Sequence, residues 1–210
     1  MTHNNSEKIK VEKDTQSKYH HGDLKESLIR AGLKLLVEAG PEKFSLRKVA
    51  ALCNVSHAAP YKHFKSKDEL INAISTFVYK KFEQSLNEIK CDDPYEKMIS
   101  MGKQYVSFMV ENYDYLRYLF FNNYGSITKS IIVEKDEIEK NDYKTFNLFR
   151  KAAEECMRYK KVNEKMYSQD VIAMWAMVHG LAIMIANNNF NYEGSYMELV
   201  ESILRNNIKF

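Results

Sequence analysis

After Ser66 the chain places apolar residues at Leu70, Ile74, Val78, Phe82, Leu86 and Ile89, each three or four positions after the last. That spacing lines one face of an α-helix; a half-buried strand would alternate every two residues instead. Ser66 with Glu69 forms a capping-box pattern, which marks where this helix begins. A long amphipathic helix of this kind must lay its stripe on other helices or on a sheet, and no alternating strand pattern of useful length occurs elsewhere.

The same signals recur along the sequence. Asp23 with Glu26 is expected to cap a first helix whose stripe is Leu24, Leu28, Ala31, Leu35 and Ala39, and Gly40-Pro41 ends it. Ser45 caps a second helix, barely two turns long, with Leu46, Val49, Ala50 and Cys53 on one face. Asp93-Pro94-Tyr95-Glu96 combines a cap, a proline at the first helical position and an acid at the third. Further helices are expected over about 94–110, 113–123 and 127–160, then 169–187 opened by Ser168, and 196–208 opened by Ser195 and Glu198. Seven glycines and three prolines in 210 residues suit helices better than a turn-rich sheet. The fold class is therefore all-α, with about nine helices and no internal repeat or low-complexity tract.

Cys53-Asn54-Val55-Ser56 reads as a tight turn, since Asn tolerates positive φ, and Ser56 is expected to start a third helix. Three short helices in some forty residues, the last two joined by a tight turn, make a helix-turn-helix pattern. Charge concentrates here. Residues 1–76 carry 13 Lys and Arg against 9 Asp and Glu, whereas the remainder carries 18 against 19. Between Ser45 and Lys67 the cations Arg47, Lys48, Lys62, Lys65 and Lys67 meet no acid at all. Five of the six histidines also lie in this first part.

Such a segment suits double-stranded DNA, because the second helix of the motif can enter the major groove while the first braces it. Lys62, Lys65 and Lys67 can neutralise phosphates and release counterions. Tyr61 offers a phenol for a phosphate oxygen, and the small Ala58 and Ala59 permit close approach to base edges. His57 and His63 can each donate to base or phosphate acceptors. Pro60 falls near the helical turn whose N–H groups have no intrahelical partner, so it stiffens the entry at little cost. Phe64 should pack inward. Lysines after a helix are usually just solvated, but the tight turn, the small residues and the local charge together favour a groove-facing segment.

"SLRKVAALCNVSHAAPYKHFKSKDEL" resembles the DNA-binding segment of the tetracycline-repressor (TetR) family of bacterial transcription regulators. The resemblance covers about residues 18–76, and its specific part is Val55-Ser56 followed by Tyr61, Phe64, Lys65, Lys67 and Leu70. It implies that Ser45 and Arg47 contact the DNA backbone, that Ser56 opens the reading segment, that His57, Ala58 and Ala59 face bases, and that Tyr61, His63 and Lys65 hold phosphates. Ala59 stands where the family often has threonine, and Pro60 where a leucine-like residue is common. An Ala-Pro-Tyr version resembles one branch of that family, as does "MWAMVHGLAIMIANN" with its Trp175, His179 and Gly180. The resemblance further implies a homodimer built on the last two long helices, a palindromic operator, and a repressor released from or locked on that operator by a small molecule, release being the family's usual direction. A constitutive DNA-binding or protein-interaction regulator without any small-molecule ligand is the alternative.

The implied organisation is an arm over 1–17, a DNA-binding domain over 18–76 and a helical ligand-binding and dimerisation domain over 77–210. Met101, Tyr105, Phe108, Phe120, Phe121, Tyr124, Phe146, Phe149, Trp175 and His179 could line an apolar pocket for a small apolar or amphipathic ligand. An ordinary core would contain the same residues, and for Trp175 and His179 packing is the preferred reading. His20-His21 lack a third ligand at metal spacing, the scattered Cys53, Cys91 and Cys156 read as free thiols, and neither a metal nor a cofactor is expected. Lys8, Lys10 and Lys13 are diluted by Glu7, Glu12 and Asp14, so the arm reads as solvated. No glycine-rich phosphate loop or nucleophile elbow argues for an enzyme. The polar N-terminus has no apolar signal core, and Val171–Ala186 is short for a membrane span, so a cytoplasmic protein is expected.

Overall fold

The computed structural model describes residues 21–120, 144–189 and 192–208. Phe121, Tyr124, the arm over 1–17 and the expected start of a helix near 127 lie outside the described residues. Within them are eight α-helices and no strand: α1 His21–Ala39, α2 Leu46–Leu52, α3 Lys67–Asn87, α4 Pro94–Glu111, α5 Tyr113–Phe120, α6 Lys144–Tyr159, α7 Tyr167–Ala186 and α8 Tyr196–Asn207. The all-α reading holds.

Helix α3 forms for the reason its sequence suggests. The Ser66 hydroxyl accepts from Glu69 N at 3.1 Å, and the Glu69 carboxylate accepts from Lys65 N at 2.6 Å, so two otherwise orphaned donors are satisfied. Leu70, Ile74, Val78, Phe82 and Leu86 are all buried. The stripe serves two regions. Leu70 and Ile74 lie beside Gly32 of α1, where a Cβ would stand 2.9 Å from Ile74 Cδ1. Farther along, the Phe82 ring meets Tyr105 at 5.3 Å and Phe108 at 5.2 Å, both on α4.

Helix α4 is the centre of the larger part and packs on α3, α5, α6, α7 and α8. Asp93 caps it, its carboxylate accepting from Glu96 N at 2.8 Å. A buried Gly102 lets Leu204 of α8 close in, since a Cβ there would lie 2.8 Å from Leu204 Cδ1. Next to Leu204, Arg205 grips Glu96 through two 2.8 Å bonds and so ties the end of α8 to the start of α4. Among the described residues, α7 is the one helix long and apolar enough to cross a membrane by length and composition. It packs on α4 and α6 through Val171, Met174, Trp175, Val178, Leu181 and Ala182.

Three expected helix starts are corrected. Asp23 falls inside α1, which is already helical at His21. Ser168 lies inside α7; Asn163 caps a 3-10 turn over Glu164–Met166 that runs straight into the helix, so α7 starts at Tyr167. The third helix of the motif is not a regular α-helix. Ala59 N bonds to Ser56 O, Lys62 N to Ala59 O and His63 N to Pro60 O, all three-residue steps, and only Pro60–Lys62 is a defined 3-10 helix. Pro60 has no N–H to donate, and its missing four-residue bond breaks the α pattern.

Because Phe82 is fully buried between α3 and α4, Phe82→Ala is expected to cost about 3–5 kcal/mol. Urea unfolding followed by the emission of Trp175, the sole tryptophan, would read this, and a loss below about 1 kcal/mol would show that the contact is dispensable.

Candidate nucleic-acid interface

The head is built from α1, α2 and the helical turns over residues 56–63. Gly40, at φ 75°, ends α1 in a conformation that favours glycine, and a 3-10 turn over Pro41–Lys43 follows. Ser45 then caps α2, accepting from Lys48 N at 3.3 Å. Asn54 takes φ 53°, as expected for the turn, and Val55 N bonds back to Ala50 O at 3.1 Å. Pro60 and Phe64 are buried, and Phe64 N bonds to Pro60 O at 2.9 Å. With those two residues fixed inward, the rest of the segment is turned out. Ser56, His57, Ala58, Tyr61, Lys62 and Lys65 are exposed, Tyr61 at 53%, and Ala59 and His63 are half-buried. Arg47 of α2 is exposed on the same head and Ser45 is half-buried.

Lys67 stands apart from the other cations. Its ammonium donates to the Pro41 carbonyl at 2.7 Å and lies 5.9 Å from the Phe44 ring, holding the start of α3 to the turn after α1. Lys48 makes a comparable clip, donating to Lys43 O at 2.9 Å. Sequence reasoning also passed over Lys25, an exposed α1 residue whose ammonium is 5.8 Å from the Phe64 ring. Nothing in local spacing would have found it, because the contact joins residues 39 positions apart.

The aromatic candidates of the larger part come together around Tyr105. Its ring is 5.1 Å from Trp175 and 6.4 Å from His179, while Phe146 and Phe149 sit 5.2 and 5.0 Å from Trp175. Phe108 joins through Phe82, and Phe120 of α5 lies 3.9 Å from His179. Met101 is buried on α4. The Tyr105 hydroxyl and His179 Nδ1 share a hydrogen bond of 2.9 Å. Burial pushes the Tyr105 phenol far above its usual range, and it holds His179 below the ordinary imidazole value. Both groups are thus neutral near pH 7. Cys53, Cys91 and Cys156 are free thiols, and burial pushes Cys156 up to about 11. No group of three His, Cys, Asp or Glu side chains among the described residues is placed to hold a metal.

Fold and head together define a helix-turn-helix protein with an all-helical body. Residues 28–74 match the model for bacterial regulatory proteins of the tetR family, and residues 98–206 match a tetracyclin repressor-like C-terminal domain. The chain belongs to the TetR family. It is similar to the HTH-type transcriptional regulator YerO of Bacillus subtilis, 25% identical over 179 residues, which span 80% of this chain and 58% of that protein. An HTH-type transcriptional repressor of Mycobacterium tuberculosis is 35% identical over 48 residues, 23% of this chain and 26% of that one. In fold, a TetR-family transcriptional regulator from Haemophilus influenzae superposes with a TM-score of 0.64 at 23% identity, covering 88% of this chain and 94% of the other. A Rhodococcus sp. RHA1 protein of unknown function gives 0.67 at 21% identity, covering 91% and 96%.

For His179 the sign follows from its lowered value. Between 6.5, its ordinary value, and the lower folded one, the unfolded chain binds a proton that the native protein does not. Stability should therefore fall as pH drops through about 6.5 and level off below the folded value. Urea midpoints at pH 7.5, 6.5 and 5.5 would show this drop, and His179→Gln should flatten it; equal slopes in both proteins would discount the histidine.

Proposed function

We propose that the protein is a cytoplasmic, sequence-specific DNA-binding transcription regulator, a homodimeric repressor whose grip on a palindromic operator is changed by a small apolar or amphipathic ligand. The observation that carries this reading is the outward edge of the head. His57, Ala58 and Ala59 would meet base edges, and Tyr61, Lys62, His63 and Lys65 would hold phosphates, with Ser45, Arg47 and Ser56 alongside. Lys25 joins the phosphate set from α1, and Lys67 is assigned to bracing the head rather than to phosphate, because one of its three N–H donors holds the Pro41 carbonyl. The head would correspond to residues 18–76 and the sensing and dimerisation domain to 77–210.

Dimerisation is supported by the second face of α7. Ile172, Ala173, Ala176 and Met184 are exposed along it, and beyond Gly180 there is open space where a Cβ would stand. A helix apolar on both faces suits burial between a core and a partner. Two heads then present their reading segments to successive major grooves, about 34–36 Å apart. Ligand sensing falls to the aromatic cluster, where the Tyr105–His179 pair is the polar contact among rings.

Helix α5 connects that cluster to the head. Phe120 touches His179, and Tyr118 shares a 2.6 Å hydrogen bond with Ser75 of α3. At its other end Tyr115 lies edge-on to Phe77, whose ring also carries Arg30 of α1 at 4.9 Å. Arg30 is bonded by Glu26, and its charge acts on the Tyr115 phenol. A ligand that displaces Phe120 would in this way bias the head, provided it binds one arrangement better than the other. The cluster is also densely packed, with Tyr105 and Phe149 fully buried, and this favours a second reading, a regulator with no small-molecule ligand. Thermal unfolding in the presence of metabolite extracts separates the two, since only a ligand-binding protein gains stability.

Selection from a random DNA pool at near-physiological salt is the direct test, and a palindrome with half-sites about one helical turn apart is expected. On that site Lys65→Ala should weaken binding and reduce the salt slope by about one, whereas Lys67→Ala should lower thermal stability with the slope unchanged. No enriched sequence, or a slope change confined to Lys67→Ala, would refute the assignment. Arg30→Met keeps an apolar stem over Phe77 and removes the guanidinium. It should leave the selected half-site unchanged and alter operator affinity about threefold or more, within the 0.5–2 kcal/mol seen for coupling residues. Unchanged affinity would place the connection elsewhere.

A further inference from the structure

The outward segment of the head is wound in three-residue steps, and Pro60 sits where that winding changes. Ala59 N bonds to Ser56 O at 2.9 Å, Lys62 N to Ala59 O at 3.2 Å and His63 N to Pro60 O at 2.9 Å. The Pro60 carbonyl also accepts from Phe64 N at 2.9 Å, a four-residue step. It thus takes two bonds while its own nitrogen donates none. In an α-helix the nitrogen at position 60 would bond to Ser56 O. That carbonyl is turned to Ala59 N instead, and in the α arrangement the pyrrolidine ring would collide with it.

Pro60 itself is buried, and its turn packs on α2. The reaching is left to its neighbours, since Ser56, His57, Ala58, Tyr61, Lys62 and Lys65 are exposed around it. Both ends of the segment are held. Val55 N bonds to Ala50 O at 3.1 Å before it, and Phe64 is buried after it. The winding between those ends therefore decides where the exposed side chains stand.

Winding alters both reach and alignment. The rise is about 2.0 Å per residue in 3-10 winding and about 1.5 Å in an α-helix. Over the four steps from His57 to Tyr61 the difference is about 2 Å, more than half of the ~3.4 Å between successive base pairs. Side chains three apart eclipse in 3-10 winding, so Ala58 lines up with Tyr61 and Ala59 with Lys62. An α-helix would instead set His57 near the row of Tyr61 and Ala58 near that of Lys62. A side chain that holds a phosphate fixes the place of the residue in line with it. Changing the rows re-aims the base edge without changing any residue on that edge.

We propose that Pro60 is a positioning residue for operator choice. By excluding the four-residue bond to Ser56, it sets which base pairs His57, Ala58 and Ala59 meet relative to the phosphates held by Tyr61 and Lys62. This rests on the reading of that edge of the head as the base-reading one.

Pro60→Leu restores the N–H and keeps an apolar side chain at the buried position, and Pro60→Ala restores the same N–H with less bulk. Selection from a random DNA pool, with the full-length protein and each variant at near-physiological salt, reads the effect. Both variants should keep the distance between half-sites. Within each half-site, base preference should shift at least about fivefold at one or more positions, in the same direction in both, which is the lower end of what one base contact discriminates. Phe64→Leu loosens the same segment with Pro60 in place, and should weaken all sequences about evenly. Circular dichroism checks that each variant is folded, and Pro60→Ala decides alone if Pro60→Leu is not. The proposal falls if both variants keep the wild-type preferences. It falls if only Pro60→Leu differs, since bulk and not the bond would then be responsible. It falls too if Phe64→Leu reorders the bases as Pro60→Leu does, since loosening would suffice. Those three outcomes leave the base-reading edge intact; a wild-type protein that enriches no sequence would remove that edge and this inference together.

Discussion

A phenol withdrawn from water must find a hydrogen-bond partner, and Tyr105 is fully withdrawn. That requirement organises the larger part of the protein. The hydroxyl is met by His179 Nδ1, which fixes where α7 stands against α4. Once the imidazole is placed, Phe120 can close on it and so set the end of α5. The ring of the same tyrosine meets Phe82 edge to face, so α3 is placed by the same side chain. Three helices take their positions from one residue.

Contacts run outward from that centre without a break. Between Tyr105 and the head they are mostly aromatic, through Phe82, Phe108, Tyr115 and Phe77. Arg30 is the step at which rings give way to charge. Its guanidinium lies over Phe77 and is held by Glu26, so it faces an apolar surface and an ion partner together. The exposed ion pairs elsewhere contribute little to stability. Their value is in position: the Arg205 fork on Glu96 fixes the end of α8.

Much of the fold was legible because local chemistry decided it. Ser45, Ser66 and Asp93 cap the helices they were expected to cap, and the stripe from Leu70 to Leu86 is buried as its spacing required. Errors arose where a competing local signal won. Ser168 looked like a start, but Asn163 had already turned the chain into a helix, and Pro60 removed the bond that would have made Ser56–His63 regular. The exposed edge of the head could be read from residue type alone. What could not be read were contacts joining distant positions. Lys67 looked like any surface lysine until Pro41, 26 residues earlier, was placed beside its ammonium. Arg30 and Lys25 were missed for the same reason.

Helix α3 has a mechanical consequence. It is unbroken over 21 residues, about 30 Å at 1.5 Å per residue, with one end clipped to the head through Lys67 and the other set among the rings of the body. A stiff rod held in this way would act as a lever if its inner end moved. A tilt of roughly 4° about its inner end carries the outer end about 2 Å, for a rod of that length. Side chains at the inner end need shift only by fractions of an ångström. The ratio is fixed by the length of the helix, so its amplification does not depend on which residues start the motion.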